Sequence, residues 1–246
     1  MTSNIYTDEN SAYFKNNPTW DVADSPWKAR CVFTFIQRHS LRPKTVAEVG
    51  CGAGEILNQL HAMLPDDVQF SGFDIAPDAI ELAKPREKER LGFYNENIFL
   101  QNGGGGQNRE RFDFLLVMDV IEHVEDCFDF IRQCCAKADY VLFKIPLDLN
   151  VLDMLRNRFY SRRKSVGHIH YFTKDTALLT LRDCGCHIID WQYRSMVADQ
   201  RPYDPRILYR KLLFAIAPDF AVRLFGGYSL FVLTAGDKKN HHEYPE

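Results

Sequence analysis

Apolar residues along this chain follow two alternating rhythms. Five short runs, Thr45–Val49, Val68–Phe73, Gly92–Ile98, Phe112–Met118 and Tyr140–Ile145, are of strand length. The fourth is nearly all apolar, as a strand covered on both faces should be. Between the runs, apolar residues recur at helical spacing: Trp27, Cys31, Val32, Phe35 and Ile36, then Ile56, Leu57, Leu60, Met63 and Leu64, then Cys127, Phe128, Ile131, Cys134 and Cys135. A further helix over 75–83 carries Pro77 in its first turn and stops before Pro85. Strands alternating with helices predict an α/β domain.

The later chain departs from this rhythm. Residues 147–172 read as a connection with a basic cluster, Arg156, Arg158, Arg162, Arg163 and Lys164, followed by Gly167-His168-Ile169-His170-Tyr171-Phe172. Thr173 is placed to cap a helix that ends near Gly185. His187–Tyr193 alternates as a sixth strand, and Tyr228–Thr234 reads as a seventh. Between them, 195–226 holds amphipathic helical pieces, Ile207–Ala217 and Phe220–Phe225, split by Pro218. This helical insertion is expected to cover the site or to meet a second subunit, and a membrane surface is a further partner it suits. Residues 1–27 are polar, broken by Pro18 and Pro26 and dotted with aromatics, and form a lid or a strap. The glycine-rich 101–108 loop lacks the Lys-Ser/Thr of a phosphate cradle, and the 237–246 tail is expected to be disordered.

The first strand runs straight into Gly50-Cys51-Gly52-Ala53-Gly54 and then a helix. Such a turn lets the backbone bend sharply, approach a ligand closely and offer it free N–H groups. A dinucleotide is disfavoured, because Glu55 occupies the place of that fingerprint's third glycine. Asp74 closes the second strand about 20 residues on, where a carboxylate can accept from both hydroxyls of a ribose.

Glu48-Val49-Gly50-Cys51-Gly52-Ala53-Gly54, Asp74, and Asp119-Val120-Ile121-Glu122-His123-Val124 together resemble the class I S-adenosylmethionine-dependent methyltransferases over roughly residues 45–190. The resemblance implies a Rossmann-like, seven-stranded, mostly parallel sheet with helices on both faces and an antiparallel last strand at its edge. It also implies S-adenosyl-L-methionine as cofactor. Glu48 and the backbone of Gly50, Cys51, Gly52 and Gly54 would hold its methionine portion, with Lys28 meeting the carboxylate. Asp74 would take the ribose, Ile75 and Ile98 would lie near the adenine, and Asn97 would accept from the adenine amine. Asp119 and His123 would stand nearest the sulfonium, with Val120 a further cofactor contact.

Transfer of an activated methyl needs alignment more than acid–base help. A hydroxyl or amine acceptor must still lose its proton, and His123 is the first candidate base, with His168, His170 and Tyr171 on the acceptor side. No metal is assigned. Asp119, Glu122 and His123 nevertheless look like the Glu-x-x-Glu-His site of ubiquinone-biosynthesis and small-RNA 2′-O-methyltransferases, with Asp in place of the first Glu.

Composition narrows the partners. The formal charge of −3 gives no global pull toward nucleic acid, and the marks of DNA-base methylation, Asn/Asp-Pro-Pro-aromatic or a Pro-Cys nucleophile, are absent from the chain. The expected acceptor is a small molecule, for which the basic cluster favours an anionic one. The alternatives are a catalytically silent cofactor-binding or partner-binding domain and an RNA methyltransferase. Seven cysteines at irregular spacing form neither a disulfide framework nor a zinc pattern, and with no signal-peptide pattern and no span-length apolar run the expected compartment is the cytoplasm.

Overall fold

The computed structural model describes residue 20 and residues 22–100, 111–200 and 204–236, with no side-chain account of 205–207. The expectations for residues 1–19, the glycine-rich loop and the tail lie outside the described residues. The strands are β1 Thr45–Val49, β2 Gln69–Phe73, β3 Leu91–Tyr94, β4 Phe112–Met118, β5 Ala138–Pro146, β6 His187–Arg194 and β7 Ser229–Ala235. They form one sheet in the order β3-β2-β1-β4-β5-β7-β6. β7 alone runs against the rest. It lies between β5 and β6, so the expectation of an antiparallel edge is corrected: the last strand is interior and β6 is the edge.

Helices α1 Ser25–Arg38, α2 Glu55–Met63 and α3 Pro77–Ala83 cover one face. Helices α4 Cys127–Lys137 and α7 Lys174–Asp183 cover the other. Alternate residues of β4 serve the two cores: Phe114, Leu116 and Met118 pack with α1 and α2, while Leu115 and Val117 pack toward α4 and α7. That is the two-residue period of a strand covered on both sides. All seven cysteines are free and buried. They fill core volume.

Two helices occupy the stretch expected to be a connection: α5 Val151–Leu155 and α6 Arg158–Val166. Asn150 caps α5 by accepting from the Asp153 N–H at 3.0 Å, and Gly167 at φ +79° ends α6. Thr173 caps α7 as expected, in a reciprocal box with Thr176. The insertion after β6 contains α8 Met196–Gln200, α9 Pro205–Ile216 and α10 Pro218–Phe225. β3 ends at Tyr94, and in the loop expected beyond it the Asn95 amide donates to the Asp74 carbonyl at 3.0 Å. No helix among the described residues is long and apolar enough to cross a membrane.

Candidate active site

The C-terminal ends of β1, β2 and β4 converge on one cavity of about 370 Å³, in the size range of small-ligand sites. Its walls include Trp20 and Lys28, Glu48, the Gly50–Ala53 turn, Asp74 and Ile75, and the Met118–Asp126 segment with His123. The parallel order explains the convergence, since open α/β sheets bind ligands beyond their strand ends.

The turn depends on its glycines. Gly50, Gly52 and Gly54 all sit at positive φ, which other residues adopt only with strain. A Cβ on Gly54 would come within 2.4 Å of the Phe93 ring, and one on Gly50 within 2.8 Å of Val120. The Gly50 N–H donates to Phe73 O at 2.8 Å, tying the turn to β2. Gly54 caps α2 and supports the turn from behind rather than lining the cavity. Glu55, first in α2, is bound by Gln59, Asn58 and Arg86. Its carboxylate stands at the helix start that a dinucleotide phosphate would need.

Buried and half-buried charged side chains form the floor and back it. Asp74 accepts from the Gly52 and Ala76 N–H groups, each at 2.9 Å, and so links the turn to the end of β2. Burial raises its pKa against these bonds. Asp119, at φ +57°, receives Lys28 at 2.8 Å and also Lys144, a nearly buried lysine of β5. Burial opposes its charge, but the two lysines outweigh that and hold its carboxyl well below the usual range. Glu48 is 1% exposed and its Oε2 has no hydrogen-bond partner. Burial drives its pKa well up; Lys28 pulls the other way, and Asp74 and Asp119 add to the rise.

A second cluster adjoins the cavity. The 3₁₀ turn Ile121–His123 brings His123 into ring contact with His168, centroids 4.9 Å apart. His168 Nδ1 donates to Asp148 Oδ2 at 2.8 Å, and Arg162 pairs with the other Asp148 oxygen at 3.0 Å. Burial lowers His123 to about 4, the neighbouring His168 adding to the shift. Glu122 is fully buried, and neither carboxylate oxygen has a hydrogen-bond partner among the described residues. Donor atoms of Glu122, His123 and His168 lie within 4.8 Å of one another, a set able to hold a divalent cation. Asp119 takes no part in that set, because Lys28 and Lys144 hold it, so the expected trio Asp119, Glu122 and His123 is corrected to Glu122, His123 and His168.

Other expected residues stand off the cavity wall. Asn97 is exposed and accepts from the Phe99 N–H at 3.0 Å, while Ile98 is buried in the core under α4. His170 Nε2 bonds Val124 O at 2.9 Å, and the Tyr171 hydroxyl donates to Phe159 O at 2.9 Å and to His168 O at 3.1 Å. These two side chains staple the 168–171 segment in place. Asp148, Arg162 and Lys144 are the site residues that sequence reasoning missed. The local signal for the first was Asp148 and Asn150, polar residues alternating with Leu147 and Leu149 after the strand-ending Pro146.

The model of the methyltransferase-domain family matches residues 28–190, most of the chain. The chain belongs to that family. Its members are class I S-adenosyl-L-methionine-dependent methyltransferases, in keeping with the glycine turn, Asp74 and the 119–124 segment. Among curated relatives, the ubiquinone biosynthesis O-methyltransferase of Haemophilus ducreyi is 33% identical over 119 residues, 45% of this chain and 49% of that one. The enzyme of the same name from Methylobacterium sp. is 34% identical over 95 residues, 37% of this chain and 35% of that one. The chain thus matches half or less of these relatives' length. The magnesium protoporphyrin IX methyltransferase of Synechocystis shares the fold with a TM-score of 0.58 at 14% identity, covering 86% of this chain and 83% of that one. The methyltransferase domain of a bacterial Hen1 does so at 0.56 and 18%, covering 86% and 98%.

Proposed function

We propose that this methyltransferase carries the methyl group of S-adenosyl-L-methionine to an oxygen of a small-molecule acceptor, a nitrogen being the alternative atom. The observation that carries the cofactor assignment is Glu48, a buried carboxylate on the cavity wall with one oxygen lacking a partner. A buried anion without a partner is costly, and an ammonium group is the ligand that would relieve it. The methionine amine would supply one. Lys28 is the cation on the same wall for the methionine carboxylate, Asp74 stands where the ribose hydroxyls would donate, and the exposed Ile75 offers an apolar surface to the adenine.

The bound sulfonium supplies an activated methyl for in-line displacement by the acceptor. The chain contributes placement and exclusion of water. Burial keeps His123 neutral at pH 7, so its ring can take a proton from an acceptor hydroxyl, and His168, hydrogen-bonded to Asp148, lies in ring contact beside it. Calorimetry with S-adenosylmethionine and its demethylated product tests the first step. Asp74→Ala should weaken both by about 10- to 100-fold, the worth of hydrogen bonds to a charged group. Unchanged affinity would place the ribose elsewhere.

The buried Glu122 oxygens, which make no hydrogen bond, favour a specific second reading of the acceptor side, in which Glu122, His123 and His168 hold a divalent cation. Such an ion would lower the pKa of a bound acceptor hydroxyl, so that its proton could leave to water before transfer. Titration with Mn²⁺ followed by spin resonance should then show one site that Glu122→Gln abolishes; no site in the native chain leaves the histidines as base. The relatives' names make a phenolic O-acceptor the first arm of a labelled-methyl screen, with amines, carboxylates and RNA as the others. Cofactor binding without transfer to any arm would favour a silent binding domain.

A further inference from the structure

Helix α9 turns a second apolar stripe to solvent. A surface helix ordinarily turns its apolar side inward and its charges to solvent. Here Arg210 faces in, reaching the Gly226 carbonyl and stacking over Phe225 at 5.3 Å and Tyr228 at 5.9 Å, while Phe214 stacks on Tyr228 at 5.0 Å. Leu208, Leu212 and Ile216, spaced at four residues, face out, and Ile216 is 82% exposed. Phe220 extends the stripe on α10. α10 packs against both α9 and α5, whose Met154 and Leu155 are exposed as well, Leu155 at 77%. Exposed apolar side chains gathered on three helices that pack together mark an interaction site.

The rim of the surface is basic. Arg156, Arg158, Arg163 and Lys164 are exposed on and beside α6. Only two acids lie on α5, α6, α9 and α10: Asp153 is buried under Arg158 and Arg162, and Asp219 is bound by Lys174 and Tyr193. A positive, apolar face on a chain of net charge −3 is a local feature. We propose that this face lies on an anionic lipid surface, with the leucine–isoleucine stripe in the acyl boundary and the arginines among the headgroups.

Charge selects this occupant. A second copy docked through the same face would bring two basic rims together across the symmetry axis. RNA would suit the arginines but would leave Leu155 and Ile216 with nothing to cover them. The face is also connected to the chemistry: Arg162 of α6 holds Asp148, and Asp148 holds His168. A membrane contact would therefore seat the acceptor side of the enzyme at the lipid.

The test is sedimentation of the full chain with vesicles of phosphatidylcholine mixed with phosphatidylglycerol, against phosphatidylcholine alone. The expected result is binding to the mixed vesicles only, weakened by salt. Arg163→Gln and Lys164→Gln should each cost about fivefold in affinity, and Leu155→Glu with Ile216→Glu should abolish binding while leaving cofactor affinity as it was. Should the double variant not fold, Ile216→Ser carries the same test with a smaller loss. The proposal is overturned if the native chain does not sediment at low salt, or if it binds neutral vesicles equally well. It is also overturned if the glutamate variant keeps its vesicle affinity, or if it converts a dimer to a monomer in sedimentation velocity. None of these results touches the cofactor assignment, which calorimetry reads separately.

Discussion

Glu48 concentrates a conflict between stability and use at one side chain. Burial raises its folded pKa above the ordinary 4.5, so the folded state holds a proton that the unfolded state releases. Stability must then fall as pH rises from about 4.5 through the raised value. Glu48→Gln should abolish that slope and leave the cofactor-free chain more stable at neutral pH in urea titrations, yet weaken S-adenosylmethionine binding. A variant with the native slope would show that Glu48 is ionised throughout. At this scale the sequence was partly legible. Glu48, the three glycines and Asp74 sit where their spacing places them, because strand ends and tight turns are local. The pairing of Asp119 with Lys28 and Lys144 was not, since residues 25 to 91 positions apart meet only once β1, β4 and β5 lie side by side. Lys144 reads as one polar residue in an apolar strand and gives no sign of its partner.

The elements differ in how firmly they are held. β1, β2 and β4 carry the cofactor half and are covered on both faces, and their apolar runs announced them. Helix α5 was hidden by its shortness, a little over one turn, and α6 by a basic composition without an apolar stripe; α6 has no buried residue at all. Its attachment is polar instead: Arg162 clamps Asp148 and Asp153, and Tyr171 reaches back to the Phe159 carbonyl. Arg162→Gln should therefore loosen α6 and release the orientation of His168. Turnover should drop about tenfold or more through misplacement, with cofactor affinity in calorimetry unchanged. A fall in cofactor affinity of the same size would mean that the clamp serves the whole fold rather than the acceptor side.

In the whole molecule, strand order decides what depends on what. Periodicity revealed seven strands and the sense of the alternation, but not that β7 inserts between β5 and β6, because pairing across 35 to 95 residues leaves no local mark. Removal of residues 228–246 should leave β5 with an open, apolar edge and β6 with no neighbour in the sheet. The expected outcome is loss of soluble protein on gel filtration, not a smaller folded core. A monodisperse truncated chain would show that the parallel half stands alone.

The same strand order has a consequence for how this architecture can vary. Arg194, ending β6, lies directly opposite Ser229, which begins β7, so everything from Ser195 to Tyr228 departs from and returns to a single rung of the ladder. An excursion rooted at one rung can be lengthened, shortened or replaced by another without moving the strands that end in Glu48, Asp74 or Asp119. None of the described residues of that excursion lines the cavity, so descendants of one scaffold can change what they touch outside while keeping what they hold within.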